Sequence, residues 1–290
     1  MIKIEIQNLT KVFGKLKAVD DISLSVKKGE IFGYLGPNGA GKSTTIACMM
    51  DFIKADSGKV YINGLDASVN SSALKKQIGY LSPDVHLYAN MTGKEHIDMY
   101  KRVFGSTPLL DRLMKDFAFD LNKKTAHLST GTKQKLAIIL TLMPQPEILI
   151  LDEPTRGLDP ILQNMFYEYL IELKNSGSTV FMSSHIITEI EKLCDHVGII
   201  KNGKLMSIET VSTLKAKNIQ KVNVLFEGEL DEKSLSKLSL VSYERKLGNE
   251  YEFSYSGDIN ILLQFLSKHK IKNLDIQHAP LEEIFLEYYK

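Results

Sequence analysis

Apolar and polar positions alternate in the first part of the chain and give way to apolar blocks in its middle. Residues 2–6 and 22–26 keep a period of two, which predicts strands of a sheet covered on one face. Val60, Tyr61 and Ile62 run into Asn63-Gly64, the pattern of a strand entering a tight turn. These early strands are expected to pair antiparallel. Residues 30–35, 78–81 and 147–151 are short apolar runs instead, as in buried strands of a parallel sheet. Further strands are predicted at 179–182 and 197–200, and Asn202-Gly203 predicts a hairpin turn into residues 204–206. Between them the period is helical. It covers residues 44–53, 92–124 with a break at 105–108, 131–142 up to Pro144, 163–174 up to Gly177, and 188–194.

After about residue 218 the character changes. Strands are predicted at 222–226, 240–244, 251–255 and 273–277, with helices at 231–238, 259–268 and 281–289. The order β-α-β-β-α-β suggests a small ferredoxin-like unit. The expected division is therefore 1–218, with a helical part at about 84–142, and a C-terminal α+β unit at 219–290. A length of 290 residues suits about two domains of ~150 residues each.

The junction between the strand at 30–35 and the helix at 44–53 carries Gly36-Pro37-Asn38-Gly39-Ala40-Gly41-Lys42-Ser43, followed by Thr44. It fits G-x-x-x-x-G-K-[ST], the phosphate-binding P-loop pattern, and it has a strand before it and a helix after it. A helix N-terminus presents unpaired N–H groups and a positive dipole end, so such a loop binds phosphate. Lys42 can reach the β- and γ-phosphates, and the Ser43 hydroxyl can ligate Mg²⁺. An ordinary Gly-rich turn would not need this context. A second apolar strand ends in Asp152-Glu153. Next to a phosphate loop, Asp152 can serve the Mg²⁺ shell and Glu153 can polarise an attacking water. Alone, the two would be read as solvated strand-end acids.

Composition excludes more than it selects. The net charge of +1 gives no bulk electrostatic case for nucleic acid or an acidic membrane surface. Cys48 and Cys194 form no metal-ligand spacing and read as buried free thiols. Residues 1–6 lack the apolar region of a signal peptide, and no apolar run approaches the ~18 residues that span a bilayer. Any membrane part is expected from another chain.

Leu128-Ser129-Thr130-Gly131-Thr132-Lys133-Gln134-Lys135 makes the reading specific. It resembles the signature motif of ABC-type ATPases, whose usual core is Leu-Ser-Gly-Gly-Gln, and departs from it at Thr130 and Thr132. Gly157-Leu158-Asp159-Pro160 resembles that family's D-loop, and Ser183-Ser184-His185 its switch histidine. Phe13 sits where the family keeps an aromatic that stacks on adenine. Pro83 stands where the family usually carries a glutamine, so water or Asp84 would have to take over its metal contact. The other histidines have no such context. Residues 279–286 are similar to the end of ATP-binding subunits of bacterial ABC-2-type exporters, which include drug, lantibiotic and peptide exporters.

The resemblance implies an α/β fold: a P-loop NTPase core with an antiparallel β subdomain and a helical subdomain, plus the small C-terminal domain. It implies an ATP hydrolase that powers a membrane exporter from the cytoplasmic face. The subunits would pair head to tail, as a homodimer, with ATP and Mg²⁺ between Gly36–Ser43 of one chain and Ser129–Gly131 of the other. Glu153, His185 and Lys42 would be catalytic, and Ser43 and Asp152 would serve the metal. A separately encoded transmembrane permease would dock in the groove beside residues 84–127. The alternative is a soluble ABC ATPase of translation or DNA maintenance. Such proteins usually carry two ATPase halves or long coiled-coil arms, and this chain has one P-loop and no sustained heptad.

Overall fold

The computed structural model describes residues 1–216, 220–228, 238 and 241–278. It comprises two compact units, Met1–Val211 and Ser212–Lys290.

The first unit contains two sheets. Strands β1 (Ile2–Phe13), β2 (Leu16–Lys27), β4 (Ser57–Ile62) and β5 (Leu65–Asp66) form an antiparallel sheet in the order β2-β1-β4-β5. The first two strands each run for 12 residues, well beyond the alternating stretches that predict them. The reason is bulging. The register shifts between Ile6 and Leu9, between Leu9 and Lys11 and between Lys11 and Val12. Asn8 (φ 48°) and Asp21 (φ 56°) take left-handed backbone, joined by a 2.9 Å bond from Asn8 Nδ2 to Asp21 Oδ1. Each bulge breaks the period of two while the ladder continues.

The second sheet holds β3 (Ile31–Leu35), β6 (Ile78–Leu81), β7 (Ile148–Asp152), β8 (Thr179–Ser184), β9 (His196–Lys201) and β10 (Lys204–Thr210). Its order is β10-β9-β3-β8-β7-β6, parallel except where β10 meets β9. Every residue of β3, β7 and β8 is buried, which is why these strands read as apolar runs without alternation. One core joins the two sheets. Ile4, Ile6 and Leu24 of the first meet Phe32, Tyr34, Ile150 and Phe181 of the second, with Ile46 and Met49 among them. Phe32 and Phe181 stack at 5.7 Å between centroids. Burying one such side chain contributes roughly 1.5–3 kcal/mol.

Seven of the unit's helices frame the sheets: α1 (Lys42–Met49), α2 (Ser71–Lys75), α3 (Gly93–Phe104), α4 (Pro108–Asp116), α5 (Thr130–Leu142), α6 (Pro160–Asn175) and α7 (Ile187–Leu193). The helical pattern expected to reach residue 124 stops at Asp116. Beyond it, Phe119 and Leu121 pack on Gly93, and Leu121 O accepts the Lys94 N–H at 3.0 Å. The segment folds back on the start of α3 and does not extend α4. Helix α6 starts three residues before Gln163, because Asp159 caps it and Pro160 fits its first turn. No helix of the described residues is long and apolar enough to cross a membrane.

The second unit follows α8 (Val211–Ala216), which crosses the boundary. It contains β11 (Gln220–Phe226), β12 (Val241–Leu247), β13 (Glu250–Tyr255), α9 (Ile259–Leu266) and β14 (Ile271–His278). The sheet is antiparallel in the order β12-β13-β11-β14, so β13 splits β11 from β12. Val222, Val224, Phe226, Phe253, Leu262 and Leu266 form its own core. Of the helix expected at 231–238 all but residue 238, and the whole of the helix expected at 281–289, lie outside the described residues.

Candidate active site

The carboxyl ends of β3, β8 and β7 stand side by side, the end of an open α/β sheet where ligands bind. Residues 36–41 leave β3 and wrap into α1. The Gly36 N–H donates to Ser184 O at 3.3 Å, Ala40 N–H to Pro37 O at 3.1 Å, and Thr45 N–H to Gly41 O at 2.9 Å. A Cβ on Gly36 would sit 2.5 Å from Ile200 O. One on Gly41 would sit 2.2 Å from Ala18 O, and φ there is 108°. Close approach fixes the first glycine, and backbone hand together with close approach fixes the second. Lys42 is 5% exposed, and its Nζ donates to Gly36 O at 2.7 Å and Pro37 O at 3.2 Å. The ammonium is thereby held inside the loop.

Asp152, the last residue of β7, is 2% exposed. Ser183 of the adjacent strand donates to its Oδ1, and the Ser43 hydroxyl lies near enough to influence it. Burial pushes its carboxyl above the usual range, the two serine hydroxyls oppose that rise, and the charge of Glu153 adds to it. At Glu153 the chain leaves the strand with φ 47°, and its N–H donates to Ser183 Oγ at 3.0 Å. Glu153 Oε1 lies 3.3 Å from His185 Nδ1 and 3.4 Å from Lys42 Nζ. One carboxylate oxygen thus stands between the loop lysine and the histidine. The Ser43 hydroxyl and the Asp152 carboxylate form a hard, oxygen-only donor pair that fits Mg²⁺. No group of three or more His, Cys, Asp or Glu among the described residues could hold a metal alone, so such an ion would be completed by phosphate oxygens and water.

A cleft of about 530 Å³ opens over this loop, lined by Phe13, Asn38, Gly39, Ser43, Thr44 and Glu153 among others. Phe13 is 50% exposed, and Lys11 Nζ lies 5.4 Å from its ring centroid. Asn202 and Gly203 line the cleft as well. The Gly203 N–H donates to Ala40 O at 2.9 Å, and its O accepts the Asp20 N–H at 2.8 Å, which ties the β9–β10 turn to the loop. Of the expected residues, Gly36, Pro37, Ala40, Asp152, His185, Ser129, Gly131 and Asp159 are not among its lining, and the last three have contacts elsewhere. Ser129 caps α5, accepting the Thr132 N–H at 3.2 Å. Gly131 approaches Gly157 so closely that a Cβ would be 3.1 Å from its O. Asp159 caps α6, accepting the N–H groups of Ile161 and Leu162 at 3.0 Å each.

The family model described as ABC transporter matches residues 19–156. The bacitracin transport ATP-binding protein BcrA of Bacillus licheniformis is 34% identical over 282 residues, covering 95% of this chain and 90% of that protein. The chain belongs to the ABC transporter family, among its ATP-binding proteins. The probable multidrug ABC transporter ATP-binding protein YbhF of Escherichia coli is 37% identical over 224 residues, which is 74% of this chain and only 38% of that protein. The linearmycin resistance ATP-binding protein LnrL of Bacillus subtilis is 36% identical, covering 73% of this chain and 70% of that protein. The solved ATP-binding subunit of an ABC transporter superposes with a TM-score of 0.68 at 28% identity, over 74% of this chain and 92% of that one.

Against the ABC pattern, the departure at Thr132 has a local use, because its Oγ1 lies 2.8 Å from Ser129 Oγ. Thr130 gives no such contact. Gln134 is 2% exposed and donates from Nε2 to Pro154 O at 2.7 Å, tying α5 to the segment that follows Glu153. Leu81 pairs with Leu151 in register, so Ser82 and Pro83 follow β6 beside the strand that ends in Asp152. Ser183, Gln134 and Asn202 join or frame the site, although in the sequence they stand only as members of motifs or of a turn, with no site role of their own. Ser183 left a signal, a polar residue ending an apolar strand just before Ser184-His185. Asn202 left only a turn pattern. A second groove, of about 530 Å³, lies between the core and the helices, lined by Phe52, Lys75, Tyr80, Tyr100 and Leu140 among others. Phe52 and Tyr80 meet edge to face at 5.1 Å, and Lys75 Nζ sits 4.8 Å over the Phe52 ring.

Proposed function

We propose that this chain hydrolyses ATP to drive an exporter and works as a head-to-tail dimer at the cytoplasmic face of the membrane. One observation supports the dimer: Lys42, Glu153, His185, Ser183 and Asp152 are joined by direct contacts in one chain, while Ser129 bonds within its own helix start and Gly131 packs on Gly157. A signature segment that contacts the γ-phosphate must then come from a second copy. Phe13 would stack on the base, the P-loop N–H groups and Lys42 would hold the phosphates, and Ser43 with Asp152 would hold Mg²⁺. When bound, the ion neutralises charge developing on the phosphate oxygens. Glu153 accepts the proton of the attacking water, and His185, 3.3 Å from it, orients the carboxylate toward the γ-phosphate. The groove beside Phe52 and Tyr80 receives the separately encoded permease, and relatives named for bacitracin and linearmycin support an antibiotic-like cargo.

Two variants test the scheme together. Glu153→Gln keeps the nucleotide contacts and removes the base, so ATP with Mg²⁺ should trap a dimer on size exclusion while turnover falls by about 100-fold or more. Gly131→Asp should leave the binding of a fluorescent ATP analogue to monomer unchanged and stop hydrolysis, because the new charge faces the partner's γ-phosphate. Wild-type turnover in Glu153→Gln would remove that residue from the role of base. Equal losses of binding and turnover in Gly131→Asp would end the case for a contact in trans.

A further inference from the structure

Behind the acid pair lies a carboxyl group that this scheme does not use. Glu189 of α7 is 2% exposed. Three hydroxyls donate to it. Thr155 and Tyr167 share its Oε1, Tyr167 at 2.9 Å, and Ser184 reaches its Oε2 at 2.6 Å. All three donors are buried, Ser184 at 1% and Thr155 at 3% exposure. They come from three different segments. Thr155 lies two residues after Glu153, on the loop that leads to Asp159. Ser184 directly precedes His185. Tyr167 belongs to α6. Ser184 Oγ also accepts the Ile186 N–H at 2.9 Å, so the backbone on both sides of His185 hangs on one hydroxyl. Pro154, between Glu153 and Thr155, is held from the other side by Gln134.

We propose that Glu189 is a positioning residue for hydrolysis, clamping the loop after Glu153 to the strand end before His185. The inference rests on the roles given above to Glu153 and His185. Glu153 has a left-handed backbone, a conformation that persists only where its surroundings over-determine it. Ser183 fixes the near side through the Glu153 N–H, and Thr155 fixes the far side through Glu189. A carboxylate oxygen can accept from two hydroxyls at once, which no neutral aliphatic residue could do at this junction. Buried hydrogen bonds of this kind are stronger than exposed ones and leave unsatisfied partners when cut. The 3.3 Å spacing of Glu153 and His185 is then set by two loops that meet on one buried carboxyl group.

Helix packing alone would also use such a group, and Tyr167 separates the two explanations because it lies on neither loop. The full-length variants Thr155→Val, Thr155→Ser, Ser184→Ala, Tyr167→Phe and Glu189→Gln are compared for Tm, binding of a fluorescent ATP analogue, and kcat and KM of Mg²⁺-dependent hydrolysis. Thr155→Val and Glu189→Gln should lower kcat by about 10-fold or more with KM held within about twofold, and Thr155→Ser should restore kcat. Tyr167→Phe should lower Tm as much as Thr155→Val and keep kcat within about twofold of wild type. The Thr155→Val/Ser184→Ala double variant should lose little more than the worse single one, because both act through one group. Losses of kcat that track Tm in every variant, Tyr167→Phe included, or changes in KM alone, would overturn the clamp. If Glu189→Gln does not fold, the Thr155→Val and Thr155→Ser pair decides. Glu153→Gln is assayed in parallel. Turnover retained there overturns the assignment of the base, whereas a dead Glu153→Gln beside a fully active Glu189→Gln overturns only the clamp.

Discussion

Asp152 and Glu153 are neighbours in sequence and opposites in environment. Asp152 is nearly sealed and held by the Ser183 hydroxyl, whereas the Glu153 side chain is 18% exposed and faces two nitrogen groups. Burial raises the Asp152 pKa above its ordinary value of 3.8. A carboxyl whose folded pKa is raised binds its proton more tightly in the native state than in the unfolded chain. Its contribution to stability is therefore complete below pH 3.8 and is lost as pH rises through the raised folded value. At neutral pH the ionised group opposes folding of the metal-free protein. Asp152→Asn should thus raise the Tm of nucleotide-free protein at pH 7, by about 2–4 °C for each 1 kcal/mol of relieved desolvation. The same variant should lose its Mg²⁺-dependent turnover. Calorimetry at pH 7 and pH 4 checks the sign, because the gain should shrink at the lower pH. A fall in Tm at pH 7 would mean that the serine hydroxyls outweigh burial.

Among the elements, α3 shows how local chemistry sets a boundary. Thr92 Oγ1 accepts the Glu95 N–H at 3.2 Å, and Glu95 Oε2 accepts the Thr92 N–H at 2.7 Å, a reciprocal capping box. Thr92→Ala should cost about 1 kcal/mol, a Tm loss of roughly 2–4 °C, and leave ATP affinity unchanged because α3 does not line the cleft. Thermal melts beside nucleotide titrations check both halves. Elements of this kind are legible in sequence because their signals are contiguous, and so are the phosphate loop and the Asp152-Glu153 strand end. The full lengths of β1 and β2 were hidden, since the bulges at Asn8 and Asp21 break the alternation without ending the ladder. The site contacts of Ser183, Gln134 and Asn202 were hidden for another reason. Each acts through a partner far away in sequence, as Gln134 does on Pro154, and periodicity carries no trace of such a contact.

On the scale of the whole molecule, the described residues that line the candidate site all belong to the first unit, between Phe13 and Gly203. The second unit has a core of its own, built on Val222, Val224, Phe226 and Phe253. A unit with its own core and, among the described residues, no share in the ligand cleft can be removed without opening the other, if the cut falls in the connection between them. We expect residues 1–218 alone to fold, to melt in one cooperative transition, and to bind a fluorescent ATP analogue within about twofold of the full chain. BcrA is similar along 95% of the chain, so the match extends beyond the nucleotide core. A role for residues 219–290 in subunit contact or regulation would then appear only in assays of the assembled system. ATP-driven dimerisation of Glu153→Gln should be weaker in the shortened chain while its nucleotide affinity is not. An insoluble short chain, or one that no longer binds nucleotide, would show that the cut at residue 218 severs part of the core. An unchanged dimer yield would assign the second unit to regulation, leaving subunit contact to the first.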